Sequence, residues 1–156
     1  MPDPSPARVV ADADVLAADL LVGGPSRAAL DCLWRHSWTT LVASDPLLDD
    51  AEAVIAALAD EGLAADWRAR IEAWREPVEQ PEGDHPALAS ALHGGAMHVL
   101  SLDEDLTGAR GAVAVRARVE ASVRRPGAFA RLFDPESLYE VVVGGEYPGP
   151  DCNPRE

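Results

Sequence analysis

Carboxylates recur along the sequence where a phosphate-cleaving metal site would need them. Asp12 follows the apolar run Arg8-Val9-Val10-Ala11, Asp49 and Asp50 form a pair, Asp84 opens a segment of its own, and Asp103 follows Met97-His98-Val99-Leu100-Ser101-Leu102. Two of these acids close short β-type runs, and in an open α/β sheet ligands bind beyond the carboxyl ends of the strands. Acids gathered there repel one another unless a cation joins them. The pattern therefore points to a magnesium or manganese site. Magnesium keeps several of its waters, so a few carboxylates and the substrate's phosphate oxygens complete its shell. Water activated by such an ion attacks a phosphodiester in line, and no covalent nucleophile is needed.

The elements that would position these acids alternate between strand and helix. Residues 8–11 read as a strand that turns at Asp12 into an acid-opened helix. Gly23-Gly24-Pro25 breaks the chain, and Ser26 suits the cap of a helix from Arg27 to about Ser37. Thr39–Ala43 is the second strand candidate, and Ser44-Asp45-Pro46 starts a helix running to Ala59. Gly62 separates this from a helix over Leu63–Glu76, whose Trp67, Ile71 and Trp74 fall on one face, giving a helical hairpin with packed tryptophans. Pro77–Gly83 reads as a loop, Asp84 opens a helix to Leu92, and Met97–Leu102 is the third strand. Val119–Val123 is the fourth strand, followed by helices over Pro126–Phe133 and 135–143. Such alternation specifies an α/β fold, a parallel sheet between helices joined by right-handed crossovers. One domain over 8–143 is expected, with 1–7 and 144–156 as flexible termini.

The chain has 156 residues, 27 acidic against 13 basic, for a formal net charge of −14, and its basic residues are all arginine. An acidic, lysine-free composition suits a protein kept soluble in concentrated salt, where the screening length shrinks to roughly 3 Å. A halophilic archaeal cytoplasm fits it, and so does a GC-rich genome without salt adaptation. The opening Met-Pro-Asp-Pro-Ser-Pro lacks the basic and apolar regions of a signal peptide, and no apolar run is long enough to span a membrane. The expectation is a cytoplasmic protein with no membrane partner. Cys32 and Cys152 form neither a metal spacing nor a disulfide framework, and the four histidines lack a zinc spacing. Excess negative charge opposes nucleic-acid binding, although the arginines from Arg110 to Arg131 are grouped closely enough to offset it locally.

Taken together, Val9-Val-Ala-Asp12-Ala-Asp-Val-Leu16, Ser44-Asp-Pro-Leu-Leu-Asp-Asp50, Asp84-His-Pro-Ala-Leu-Ala-Ser-Ala91, Val99-Leu-Ser-Leu-Asp103-Glu-Asp-Leu106 and Arg125-Pro-Gly-Ala-Phe129 resemble, in this order, a PIN-domain protein. The resemblance runs from about Val9 to Phe133. It implies a three-layer α/β/α domain with a central parallel sheet of four or five strands. It further implies a Mg²⁺- or Mn²⁺-dependent ribonuclease, with RNA as substrate and an antitoxin or a homodimer mate as partner. Asp12, Asp84 and Asp103 fall on the family's metal-binding acids, Asp105 on an auxiliary one, and Ser101 on a position usually held by Thr or Ser. The second catalytic acid of the family is usually glutamate; here Asp49 and Asp50 offer aspartates, Asp50 in the better register. Asp14 stands where the family often has Asn.

Three other readings compete. Asp14, Asp45, Asp49 and Asp105 also suit helix N-termini through capping and the macrodipole. Asp12-Ala-Asp14 after an apolar strand also resembles the opening of haloacid-dehalogenase-type phosphatases, whose chemistry normally uses a lysine that this chain lacks. A PIN-like module that binds RNA or protein without cutting is the non-enzymatic alternative.

Overall fold

A computed structural model describes residues 3–80, 85–108 and 121–153. The elements in chain order are β1 (Ser5–Ala11), α1 (Ala13–Leu21), α2 (Gly24–Trp34), β2 (Thr40–Ala43), α3 (Asp45–Leu58), α4 (Glu61–Trp74) and β3 (Arg75–Pro77). They continue as α5 (Pro86–Gly94), β4 (Ala96–Leu100), α6 (Glu104–Thr107), β5 (Ser122–Arg124), α7 (Pro126–Leu132) and α8 (Pro135–Val142). The strands form one parallel sheet in the order β3-β2-β1-β4-β5.

This order explains why the carboxyl-terminal ends of β1 and β4 are apolar. Strands covered on both faces read as continuous apolar runs, and Val9, Val10, Ala11, Val99 and Leu100 are all buried. The chain steps outward from β1 to β3, then returns to the other side of β1 to lay down β4 and β5. Right-handed crossovers put the helices of these two halves on opposite faces, giving the three-layer α/β/α architecture. The reversal also creates a switch point between β1 and β4, where carboxyl ends diverge into a crevice. Asp12 and Asp103 follow those two strands.

Local chemistry sets the helix starts. Ser44 and Asp60 accept from the backbone N–H groups of Leu47 and Leu63, capping α3 and α4, and prolines occupy the first turns of α3, α5, α7 and α8. Gly95, at φ 66°, closes α5 in the left-handed conformation that favours glycine. The α3–α4 hairpin forms as the sequence indicates. Trp67 and Ile71 are buried, and Trp74 meets Trp34 edge-on with ring centroids 4.6 Å apart.

Several boundaries differ from the sequence reading. β1 begins at Ser5, and α2 begins at Gly24 after a Gly23 cap at φ 82°, so Ser26 is a buried first-turn residue instead of the cap. Arg75–Pro77 is an edge strand against β2 where the helix end and a loop were expected. A short edge strand carries little hydrophobic signal, and only the exposed backbone of β2 recruits it. The segment after Gly144 does not trail away. Tyr147 Oη bonds His36 Nε2 at 2.6 Å, Asp151 Oδ1 accepts from Ser37 N–H at 2.8 Å, and the N–H groups of Asp151 and Cys152 both reach Arg35 O. Among the described residues, no helix is long and apolar enough to cross a membrane.

Candidate metal centre

The carboxyl ends of β1 and β4 are joined by a compact hydrogen-bond lattice. Asp12 N–H donates to Leu100 O at 2.8 Å, fixing the last residue pair of the two strands. Ser101, fully buried, donates through Oγ to Asp12 Oδ2 at 3.1 Å and accepts from the N–H of Asp103 at 3.0 Å. A single hydroxyl thus links one acid's carboxylate to the other acid's backbone. Ser101 is itself held by β5, its N–H donating to Arg124 O at 3.0 Å. One residue further on, Leu102 N–H donates to Asp14 Oδ2 at 3.3 Å.

Each acid also serves its own helix. Asp12 Oδ1 accepts from Ala13 N–H at 2.8 Å at the start of α1, and Asp103 Oδ1 accepts from Asp105 N–H at 2.9 Å at the start of α6. Capping thus falls to Asp12 and Asp103, while Asp14, Asp45 and Asp105 lie in first turns and Asp49 does not. Capping takes one oxygen of each and leaves the second free of helix duty. Asp14 is the most stressed of the three. Its Oδ1 is buried with no hydrogen-bond partner among the described residues. Burial, then the charge of Asp12, raises its pKa; the N–H groups of Leu102 and Val15 oppose the rise, and the charge of Asp103 adds to it. A half-buried carboxylate with an orphan oxygen beside two more acids is compatible with a bound cation, which would satisfy the oxygen and cancel the repulsion.

The remaining acids divide. Asp84 lies outside the described residues. Asp105 is exposed, and its backbone rather than its carboxylate joins the lattice. Asp49 and Asp45 are drawn to the opposite side of α3, where Arg68 of α4 meets Asp49 at 2.7 Å and Asp45 at 3.7 Å, and Arg75 holds Asp45 at 2.6 Å. Arg68 also bonds Glu72 at 2.7 Å, one turn along α4. That leaves Asp50, exposed on the stripe of α3 that continues at Val54 and Leu58. Val54 and Leu58 line, with Asp12 and Asp14, an open groove of about 470 Å³ between α1 and α3. Among the described residues, no three His, Cys, Asp or Glu side chains gather closely enough to hold an ion by themselves.

Residues 3–155 match DUF7384, a family of unknown function. The chain belongs to that family. No curated protein and no solved structure matches it.

Within this family member, the histidines serve packing and capping. His36 is buried among Trp38, Phe133 and Tyr147, and His85 Nδ1 accepts from Ala87 N–H at 3.2 Å as the α5 cap. The sequence gives no sign that Arg68 claims Asp49.

Proposed function

We propose that this protein is a metal-dependent endoribonuclease of PIN-like type, acting in the cytoplasm of a salt-adapted cell. The observation that carries the reading is the junction at the switch point: Asp12 and Asp103 tied through Ser101, with Asp14 Oδ1 buried beside them and without a hydrogen-bond partner among the described residues. Asp12 and Asp103, with Asp14 next to them, would hold Mg²⁺ or Mn²⁺, and Asp84 and Asp105 would complete the acidic set. The ion, when bound, supplies an activated water and neutralises the developing charge on the scissile phosphodiester. The chain's own residues do the positioning. Ser101 orients Asp12 by a charge-assisted hydrogen bond, the Leu102 N–H holds Asp14 in place, and Asp50, exposed on α3, would be the second acid, for proton transfer. A cation at this point also lowers the local negative potential that a net charge of −14 would otherwise present to RNA.

The test is cleavage of structured and unstructured RNA in high salt, with Mg²⁺, Mn²⁺ or chelator, beside a calorimetric titration of Mn²⁺. Cutting that requires the ion and is lost in Asp103→Asn, with the fold intact by circular dichroism, supports the reading. Undiminished cutting by Asp103→Asn, or a wild type inert towards every RNA in both metals, sinks it in favour of a binding module for RNA, an antitoxin or a second copy of the chain.

A further inference from the structure

Four of the described arginines are half-buried: Arg8, Arg68, Arg75 and Arg124. In a chain so rich in acids, three of them have found carboxylates. Arg8 pairs with Glu76, Arg68 with Asp49 and Glu72, and Arg75 with Asp45. Arg124 is the exception, with no carboxylate in ion-pair range among the described residues. A guanidinium partly removed from water is costly unless an anion meets it.

The described surroundings of Arg124 say what kind of anion would suit it. His98 on β4 pairs with Ser122 on β5, and Arg124 lies two residues beyond Ser122, so Arg124 and His98 share one face of the sheet. There they line a cavity of about 450 Å³ whose other walls include Phe129, Phe133, Leu138 and Val141 from α7 and α8. His98 contributes no charge. Burial first, and Arg124 second, hold its pKa below the usual histidine value, and its Nδ1 is buried without a partner among the described residues. Asp134, the one acid lining the cavity among the described residues, is turned to its own helix: Ser137 donates to it from Oγ at 2.8 Å and from N–H at 3.3 Å. Arg124 is thus the one arginine among the described residues that line a mostly apolar pocket.

We infer that this cavity binds a small organic monocarboxylate with an aromatic or branched apolar body. The planar fork of arginine matches the two oxygens of one carboxylate. Phosphate carries more charge and more hydrogen-bonding oxygens than a single fork among phenyl and aliphatic walls can satisfy. The site lies on the β4–β5 face under α7 and α8, apart from the acids at the strand ends, and it stands whether or not the protein cuts RNA.

Fluorine NMR with trifluoromethylbenzoate as probe and trifluoromethylbenzamide as its neutral isostere tests this on the wild-type chain. The carboxylate is expected to bind saturably and the amide roughly tenfold or more weakly, as loss of a charge-assisted hydrogen-bond pair implies. Arg124→Gln should remove that difference while leaving amide binding, and Phe133→Ala should weaken both. Absence of saturable carboxylate binding at millimolar probe, equal affinity for the two probes, or tighter binding of inorganic phosphate in competition would overturn the inference, and the wild-type comparison decides it even if a variant fails to fold.

Discussion

Replacing Ser101 by alanine probes the junction most directly, because one hydroxyl there does two jobs. Its Oγ donates to Asp12 Oδ2 at 3.1 Å and accepts from Asp103 N–H at 3.0 Å, and the residue is fully buried, so water does not readily replace it. A hydrogen bond to an ionised group contributes about 1.5–3 kcal/mol, and the Asp103 N–H, at an exposed residue, can turn to solvent at small cost. The expected loss is therefore about 2 kcal/mol. For a chain of this size each kcal/mol moves Tm by roughly 2–4 °C, which puts Ser101→Ala about 4–8 °C below wild type. Thermal unfolding followed by circular dichroism with chelator present measures it without interference from bound ions. Ser101→Thr, which keeps the hydroxyl, should recover part of the loss. A double-mutant cycle with Asp12→Ala separates the pair from general packing: the cost of Ser101→Ala should fall by about 1 kcal/mol or more once Asp12 is gone. A Tm within a degree of wild type, or the same cost with and without Asp12, would refute the claim that Ser101 links the two acids.

Asp14→Asn should stabilise the metal-free protein at neutral pH, because it removes a carboxylate whose pKa is raised by burial and by Asp12. The folded state takes up that proton before the unfolded one, so the cost is fully present above the raised pKa and disappears as pH falls to the ordinary carboxylate value. Chemical denaturation of both proteins across the acid range should show the variant's advantage shrinking with acidification, and an advantage independent of pH would contradict it. Gly94→Ala should cost about 1–3 kcal/mol by overpacking, since a Cβ there meets Val42 Cγ1 at 2.2 Å across the α5–β2 contact. The midpoint of urea unfolding reads this directly, and Val42→Ala in the same chain should return part of it. Asp60→Ala should cost about 0.5–2 kcal/mol through loss of the α4 cap, whose Oδ1 accepts from Leu63 N–H at 2.7 Å. Unchanged helicity and stability would mean that packing of Trp67 and Ile71 alone fixes that helix.

The alternation of short apolar runs with capped helical stretches was enough to specify a parallel α/β sheet, because strands covered on both faces cannot be built from alternating residues and helices announce their starts with Ser, Asp and Pro. That Asp12 follows a strand was legible for the same reason, since it comes directly after an apolar run; β4 ends at Leu100, two residues short of the expected Leu102, so Asp103 stands three residues beyond its strand. The edge strand Arg75–Pro77 was not, since three residues have no periodicity and only the open side of β2 makes them a strand. Nor was the fate of residues 144–153, which look like a loose tail in sequence and are held by His36, Arg35 and Ser37 across more than a hundred intervening positions. The acids divide along the same line. Sequence sets Asp12 and Asp103 apart by the apolar runs before them and prefers Asp50 to Asp49 only by register, but the angle of α4 against α3 brings Arg68 to Asp49, and the pairing of β1 with β4 brings Ser101 to Asp12. Which carboxylates are neutralised and which are left crowded follows from through-space distance. Residue type and spacing set the inventory, and tertiary packing alone set the partners.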